Sequence, residues 1–381
     1  MKPPKAVAFL SLPPADGALL AGLPDVLADN SFRPLLPSAL TGSGWVLLGD
    51  EGCSDLADIG RWSTLPYVWL GWRTDTKQIP TAAIKVQAAA QVRDEGLTGK
   101  AAKVAIKDRI EMLTTECARR TTPNLAVVPV LWNTATGDLV VGTGKAVNVE
   151  AVRKAVNRTT GAYPEPVLPG DWSGARDRLW QVLTDAPAIG DDQWSGALAY
   201  EVGPAFLRWL WWKSEASAGE LPWVDLGDGR KVSWVARSQI QLVNSRGDDI
   251  KVRAADALAD PAVLASIVDG REVVSVGLRL DDENGLRIAD LTLTVDGGDL
   301  AISGVSLGGY LERNTEDAAP ALTELLVGLR RALGALLRRY AAAEGDPANR
   351  AQGEAALRRW LTGEVWEWTA KATADGRLVS A

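Results

Sequence analysis

Apolar and polar positions along the chain recur with two different periods. Short apolar or alternating runs predict strands, and apolar positions spaced three to four residues apart predict helices. Near the N-terminus the pattern predicts strands at Ala6–Leu12, Gly44–Leu48 and Tyr67–Trp72, and a helix at Ala15–Leu27. Strands and helices in this order favour an α+β fold with an antiparallel or mixed sheet.

The middle of the chain begins with a predicted pair of helices, Thr81–Glu95 and Lys100–Arg120, separated by a glycine-containing break. Two apolar runs with a polar turn between them, Ala126–Trp132 and Leu139–Val141, then predict a β-hairpin. Helical spacing returns at Val149–Asn157. This region therefore combines a helical pair, a hairpin and a further helix.

The pattern of the second half predicts helices and strands, followed by a helical C-terminal extension. Tyr163–Gly170 is rich in proline and is expected to be a connector. The predicted helices are Trp172–Leu183, Ala205–Lys213 with Pro204 at its start, Ala319–Tyr340 and Ala351–Leu361. The predicted strands are Lys231–Arg237, Gln239–Asn244, Val273–Leu280, Leu286–Val295 and Leu300–Val305. Leu325, Leu329, Leu333, Leu336 and Leu337 form the apolar stripe of the first tail helix.

We therefore predict four segments along the chain: residues 1–76, 77–170, 171–315 and 316–381. The first is an α+β segment, and the second holds the helical pair and hairpin. The third is rich in tryptophan and strands, and the fourth is the helical tail.

Charge is distributed unevenly among these segments. Residues 77–160 contain 13 Lys and Arg and 7 Asp and Glu, a net charge of +6. The whole chain has a net charge of −7, so the remaining residues carry −13. A basic stretch in an acidic protein indicates a surface that faces a polyanion.

The first basic helix shows how such a surface would form. At 100° per residue, Ile106, Ile110, Leu113 and Cys117 share one face. Lys100, Lys103 and Lys107 lie within roughly 60° of one another on a neighbouring face. The plainer interpretation of these lysines is a solvated helix face.

The amino-acid inventory excludes several classes of enzyme. The chain has no histidine, so it cannot form a Ser-His-Asp or Cys-His catalytic site. Its two cysteines, Cys53 and Cys117, cannot assemble a Cys/His zinc cluster and favour a reducing compartment. We expect no cofactor. Apolar runs at the N-terminus and at Ala205–Trp212 are too short for a signal peptide or a membrane span. We therefore expect a cytoplasmic protein without a membrane partner.

Two short motifs are candidate sites of chemistry. Gly142-Thr-Gly-Lys145 fails as a phosphate-binding loop, because Leu139 stands where a glycine is required and Ala146 replaces the metal-binding Ser or Thr. Asp249-Ile-Lys251, with Asp225 and Asp228 nearby in sequence, has the acid-x-Lys form of a metal-dependent nuclease. A hairpin turn explains the same residues, so nuclease activity stays an alternative.

Tryptophan is unusually abundant, with 16 residues against 3 Phe and 5 Tyr. One group in the third segment is a candidate stacking platform for bases or sugars. The interpretation that we favour is a subdomain core or an oligomer interface. The residues of this group are Trp209, Trp211, Trp212, Trp223 and Trp234.

Several stretches together resemble the bacterial family of recombination-associated RdgC proteins. They are Ser31-Phe-Arg-Pro34 followed by Gly44-Trp-Val46, the run Lys77–Lys85, the lysine-rich helix, the hairpin containing Trp132, and Val268–Leu280 with the elements that follow it to Tyr340. The resemblance covers most of residues 1–340, but residues 190–258 match it poorly. None of these motifs is catalytic.

This resemblance implies a ring-forming protomer: a flat homodimeric ring with a basic central hole that binds double-stranded DNA without sequence specificity. It also implies a nucleoid-associated protein that limits access of the RecA recombinase to DNA. The candidate phosphate contacts are Lys85, Lys100, Lys103, Lys107, Arg109, Arg119, Arg120, Lys145, Arg153, Lys154 and Arg158. Arg330, Arg331, Arg338 and Arg339 of the tail are a further, supporting group.

The chain departs from the family pattern at one place. Arg119-Arg-Thr-Thr-Pro123 stands where the family tends to carry an aromatic-containing segment, so any role of an aromatic there is in doubt. A second alternative function remains beside the nuclease. The Trp-rich segment and the tail would serve as a protein-interaction module, since a dedicated DNA-binding protein is often basic overall.

Overall fold

A computed structural model describes residues 4–50, 52–166, 194–215, 223–225, 231–243, 249–252, 261–268, 270–296, 299–307, 318–344 and 347–374. The described helices are α1 (Gly17–Asp29), α2 (Thr81–Asp94), α3 (Gly99–Arg120), α4 (Ala146–Thr160), α5 (Trp194–Glu215), α6 (Pro261–Val268), α7 (Ala318–Glu344) and α8 (Pro347–Ala374). A short 3₁₀ helix covers Ile59–Arg61.

The described strands are β1 (Ala6–Ser11), β2 (Thr41–Leu47), β3 (Ser63–Thr64), β4 (Tyr67–Thr76), β5 (Asn124–Asn133), β6 (Asp138–Val141), β7 (Glu165–Pro166), β8 (Trp223–Asp225), β9 (Lys231–Val243), β10 (Asp249–Val252), β11 (Glu272–Asp282), β12 (Arg287–Asp296) and β13 (Asp299–Leu307). The fold is α+β, as the sequence pattern predicts, and the pairings between these strands are antiparallel.

The chain forms two compact units, each assembled from separate stretches of sequence. Unit 1 comprises Met1–Pro13, Thr136–Val149 and Pro164–Ala381, and unit 2 comprises Pro14–Ala135 and Glu150–Tyr163. The four segments predicted from the sequence are continuous stretches, whereas each compact unit combines several stretches. The four-segment division therefore stays a prediction.

In unit 2, strand β4 lies between β2 and β5 at the centre of a small sheet. Trp45 of β2 and Trp72 of β4 are paired in register, and their rings meet edge to face with centroids 5.0 Å apart. The Trp45 indole Nε1 donates a hydrogen bond to Thr159 Oγ1 of α4 at 3.0 Å. Buried residues of α4, among them Val152 and Val156, complete this core.

In unit 1, strand order runs β10-β9-β11-β12-β13-β1-β6. Helix α5 packs on β9 and β11 and buries Phe206, Trp209 and Trp211. The leucine stripe of α7 lies inward, since Leu329, Leu333, Leu336 and Leu337 are buried and Leu325 is half-buried.

Two helices of unit 1, α5 and α8, are much longer than predicted. Helix α5 begins at Trp194, so Pro204 lies inside it and the prediction that Pro204 starts the helix is wrong. Proline removes one backbone hydrogen bond from a helix interior. Burial of the apolar run from Phe206 to Trp212 offsets that loss. Helix α8 runs from Pro347 to Ala374, longer than the predicted Ala351–Leu361. The predicted helix Trp172–Leu183 lies outside the described residues.

Candidate nucleic-acid interface

The predicted helical pair exists in unit 2 as α2 and α3, which pack mainly on each other. Helix α2 buries Ile84, Ala88 and Val92. The predicted apolar face of α3 (Ile106, Ile110, Leu113 and Cys117) is half-buried. One side of α3 is thereby used for packing, and the other side faces solvent.

Lys100, Lys103 and Lys107 lie on that solvent side, and we call them the lysine row. All three are exposed. In the described part of the chain none of the three has an ion pair or hydrogen bond. Seven residues of α-helix separate the ends of the row by about 10 Å, which is also the rise along the B-DNA axis of about three phosphates of one strand. Glu111, one turn further on, ends the row.

Four other candidate contacts are exposed cations whose charge is also uncompensated by an ion pair among the described residues. Lys85 lies on α2, Arg119 at the end of α3, and Arg158 near the end of α4. The guanidinium carbon of Arg158 is 5.7 Å from the Trp72 ring centroid. Lys145 precedes α4 and belongs to unit 1, whereas the other candidates belong to unit 2. These residues can still bind a phosphate.

The remaining four candidates are paired with acids, and only the pair of Arg109 with Glu95 lies beyond the spacing at which pairs within a helix can be read from sequence. Arg109 pairs with Glu95 across the helical pair. Arg120 pairs with Glu116 one turn back at 2.6 Å. Because an ion-paired guanidinium carries its counter-charge with it, these residues add less to a polyanion-binding surface than their number suggests.

Arg153 and Lys154 share Glu150, at 3.1 Å and 3.4 Å. The Tyr163 hydroxyl also donates a hydrogen bond to this carboxylate at 2.7 Å. The Tyr163 hydrogen bond, assisted by Lys154 and Arg153, lowers the pKa of Glu150 below its usual value. Glu150 is therefore the shared counter-ion of Arg153 and Lys154.

Lys77 was counted in the basic stretch, but the structure gives it a structural role. The side chain is buried, with 8% of its surface exposed. Its Nζ donates hydrogen bonds to the backbone oxygens of Pro37 at 2.7 Å and Ala118 at 2.8 Å. Lys77 therefore fixes the end of α3 to the loop after α1, and its charge is not exposed on the surface.

The signature Ser31–Pro34 with Gly44–Val46 is also explained by packing. Phe32 N donates to Trp45 O at 2.9 Å, and Trp45 N donates to Asn30 O at 3.0 Å. A Cβ on Gly44 would lie 2.4 Å from the Phe32 backbone, so only glycine permits this approach. The signature preserves the contact of this loop with the edge of β2.

Two of the four tail arginines, Arg330 and Arg339, form contacts within unit 1. Arg330 forms an ion pair with Asp138, and both side chains are 15% exposed. Arg339 donates to Trp223 O and lies 5.5 Å from the centroid of the Trp234 ring. Both guanidinium groups are thus engaged within unit 1, and a supporting DNA contact by the tail stays a prediction.

The Trp-rich group is largely core, as we favoured. Trp209, Trp211, Trp212 and Trp234 are all buried, and Trp223 is 38% exposed. Buried indoles cannot present a stacking platform to a nucleic acid, and they give little surface to an interaction module.

Three of the four residues of the nuclease alternative lie in the part of the chain that the structure describes. Asp225 lies exposed on β8, Asp249 and Lys251 lie on β10, and Asp228 falls outside the described residues. Among the residues that the structure describes, no group of three or more His, Cys, Asp or Glu is arranged to hold a metal ion. In the same residues, no helix is both long and apolar enough to cross a membrane.

Comparison with family models and with curated proteins found no match to this chain. The likeness to the RdgC family accordingly remains a resemblance of sequence pattern.

Proposed function

We propose that this protein is a non-enzymatic, sequence-independent double-stranded DNA-binding protein. The observation that supports it most is the lysine row, three exposed lysines without ion pairs among the described residues, held on one side of a helix. Ammonium groups in such a row bind phosphate oxygens without reading base edges, so they supply affinity and little specificity.

The distribution of charge supports the same proposal. A protein with a net charge of −7 is repelled by DNA over much of its surface. Productive binding therefore needs the basic region to face DNA almost alone. Pairing of Arg109, Arg120, Arg153 and Lys154 with acids narrows the candidates in unit 2 further, to the lysine row with Lys85, Arg119 and Arg158, and Lys145 is a separate candidate in unit 1.

By resemblance to the RdgC family, we further propose a ring-shaped homodimer that encloses one duplex. Two copies of residues 77–160 would bring a formal charge of +12, twice +6, around the DNA. In this proposal the protein is cytoplasmic and nucleoid-associated, and it opposes RecA by occupying duplex DNA that the recombinase would otherwise reach.

An electrophoretic mobility shift with plasmid DNA, with and without Mg²⁺, tests the proposal against its two alternatives. We expect a shift that does not depend on sequence or on Mg²⁺. Cleavage that requires Mg²⁺ would favour the nuclease. Absence of a shift at low salt would contradict DNA binding and leave the interaction module.

A further inference from the structure

One acidic side chain, Glu150, lies on the same helix as a cation proposed to bind DNA. Glu150, Lys154 and Arg158 are spaced four residues apart along α4, so they follow one another along one side of the helix. Lys154 and Arg158 are exposed, and 39% of the Glu150 side chain is exposed. Arg158 is one of the proposed phosphate contacts. Lys154 is therefore the cation one turn away from a proposed contact, and Glu150 lies one turn beyond it.

The Glu150 carboxylate is held by two donors besides Lys154. The Tyr163 hydroxyl donates a hydrogen bond to Glu150 Oε1 at 2.7 Å, and Arg153 Nη1 donates to Glu150 Oε2 at 3.1 Å. The guanidinium carbon of Arg153 lies 4.5 Å from the centroid of the Tyr163 ring, so these two donors also contact each other. Lys154 Nζ is 3.4 Å from Glu150 Oε1. The carboxylate is thus fixed by contacts that do not depend on Lys154.

This fixed position distinguishes the Glu150–Lys154 pair from an ordinary ion pair on a surface. Most exposed pairs gain little, because holding two long side chains in one geometry costs conformational entropy. Here one partner is already held by Tyr163 and Arg153, so pairing orders the lysine alone. A carboxylate held in this way stays beside the lysine when a phosphate approaches. It therefore competes with that phosphate for the Lys154 ammonium group and also repels it.

We propose that Glu150 limits the affinity of the DNA interface by occupying Lys154 as an internal substitute for a phosphate. This inference rests on the proposed DNA-binding function and adds to it a residue that lowers affinity. Arg153 and Tyr163 are positioning residues in this arrangement, because they hold the carboxylate beside Lys154. A sequence-independent binder that is limited in this way leaves DNA at a lower salt concentration than its number of cations indicates.

Replacing Glu150 with glutamine tests the proposal in the full-length protein. The amide oxygen of glutamine can still accept the Tyr163 hydrogen bond, so Glu150→Gln removes the charge and keeps that contact. Lys154 then neutralises a phosphate, and the slope of log affinity against log salt concentration should steepen by about 0.9 for each protomer that engages the duplex. Extrapolated from 1 M to 0.1 M salt, this change corresponds to an affinity gain of about eightfold. The measurement uses a fluorescent duplex at several salt concentrations.

Two comparisons separate this effect from a general change of charge. Asp25→Asn also removes one negative charge from unit 2, at an exposed residue of α1 without an ion pair or side-chain hydrogen bond in the described chain, and it should keep the original slope. In a double-mutant cycle, Lys154→Gln should reduce the slope by about 0.9 in the Glu150→Gln background. In the unaltered protein, Lys154→Gln should reduce the slope by less than half as much. Circular dichroism confirms that each variant is folded.

The possible outcomes distinguish this inference from the function on which it rests. An unchanged slope in Glu150→Gln, an equal change in Asp25→Asn, or an equal effect of Lys154→Gln in both backgrounds would overturn the role of Glu150 while DNA binding itself stands. Absence of binding at low salt by both the unaltered protein and Glu150→Gln would contradict the proposed function, and this inference with it.

Discussion

Replacing the lysine row with glutamine (Lys100→Gln, Lys103→Gln and Lys107→Gln together) should reduce the salt dependence of DNA binding. Each lysine that neutralises a phosphate contributes about 0.9 to the slope of log affinity against log salt concentration. All three are exposed and have no acid partner among the described residues, so each is free to do so. The slope should therefore fall by about 2.7 for each protomer that engages the duplex. Extrapolated from 1 M to 0.1 M salt, that difference corresponds to an affinity loss of about 500-fold.

The assay measures the affinity of each variant for a fluorescent duplex at several salt concentrations, with two unrelated sequences of equal length. A triple variant of equal charge, Arg237→Gln, Arg358→Gln and Arg359→Gln, is the matched control. These arginines are also exposed and without ion pairs in the described chain, but they lie outside residues 77–160. The control should keep the slope of the unaltered protein. Equal loss in both variants would show that net charge alone governs binding, and an unchanged slope in the lysine variant would refute the placement of the interface.

Three further outcomes follow from individual residues. Lys77→Met should destabilise unit 2 by about 2 kcal/mol, measured by denaturant unfolding, because the oxygens of Pro37 and Ala118 lose a buried charged donor; unaltered stability would contradict its structural role. Tyr163→Phe should raise the pKa of Glu150 in a carboxyl NMR titration, since the Tyr163 hydrogen bond is the main cause of its lowered value. A lowered carboxyl pKa stabilises the folded state above the unfolded pKa, and this contribution disappears as pH falls through the folded value; an unmoved titration midpoint would exclude that cause. Linear and supercoiled DNA should stay intact with Mg²⁺ or Mn²⁺, and cleavage that Asp249→Ala abolishes would establish the nuclease instead.

Hydrophobic periodicity was sufficient to predict most elements and the α+β class. The predicted helix Lys100–Arg120 is α3 within one residue, and the predicted helix Thr81–Glu95 is α2 within one residue. Periodicity reports which side of an element is apolar, and local spacing is enough for that. It does not report which distant stretches pair, so assembly of unit 2 from Pro14–Ala135 and Glu150–Tyr163 could not be read from the pattern.

The candidate interface was predictable in position but not in effective charge. The net charge of residues 77–160 gives Lys77, Arg109 and Lys100 the same weight of one positive charge each. Their environments differ, since Lys77 is buried against backbone oxygens, Arg109 is paired with Glu95, and Lys100 is exposed. Glu95 is 14 residues from Arg109, beyond the i,i+4 spacing at which pairs within a helix can be read from sequence. Tertiary contact decides which cations remain available.

Retention on closed circular DNA tests the proposed ring most directly. The protein is loaded at low salt on a relaxed circular duplex and on the same duplex made linear, the salt is raised, and the bound fraction is measured over time. A dimer that encloses the duplex should remain on the circle after phosphate contacts are screened, and should slide off the free ends of the linear form. Equal loss from the circle and the linear duplex, or equal binding by a monomer, would contradict the ring and leave a basic patch as the whole of the interface.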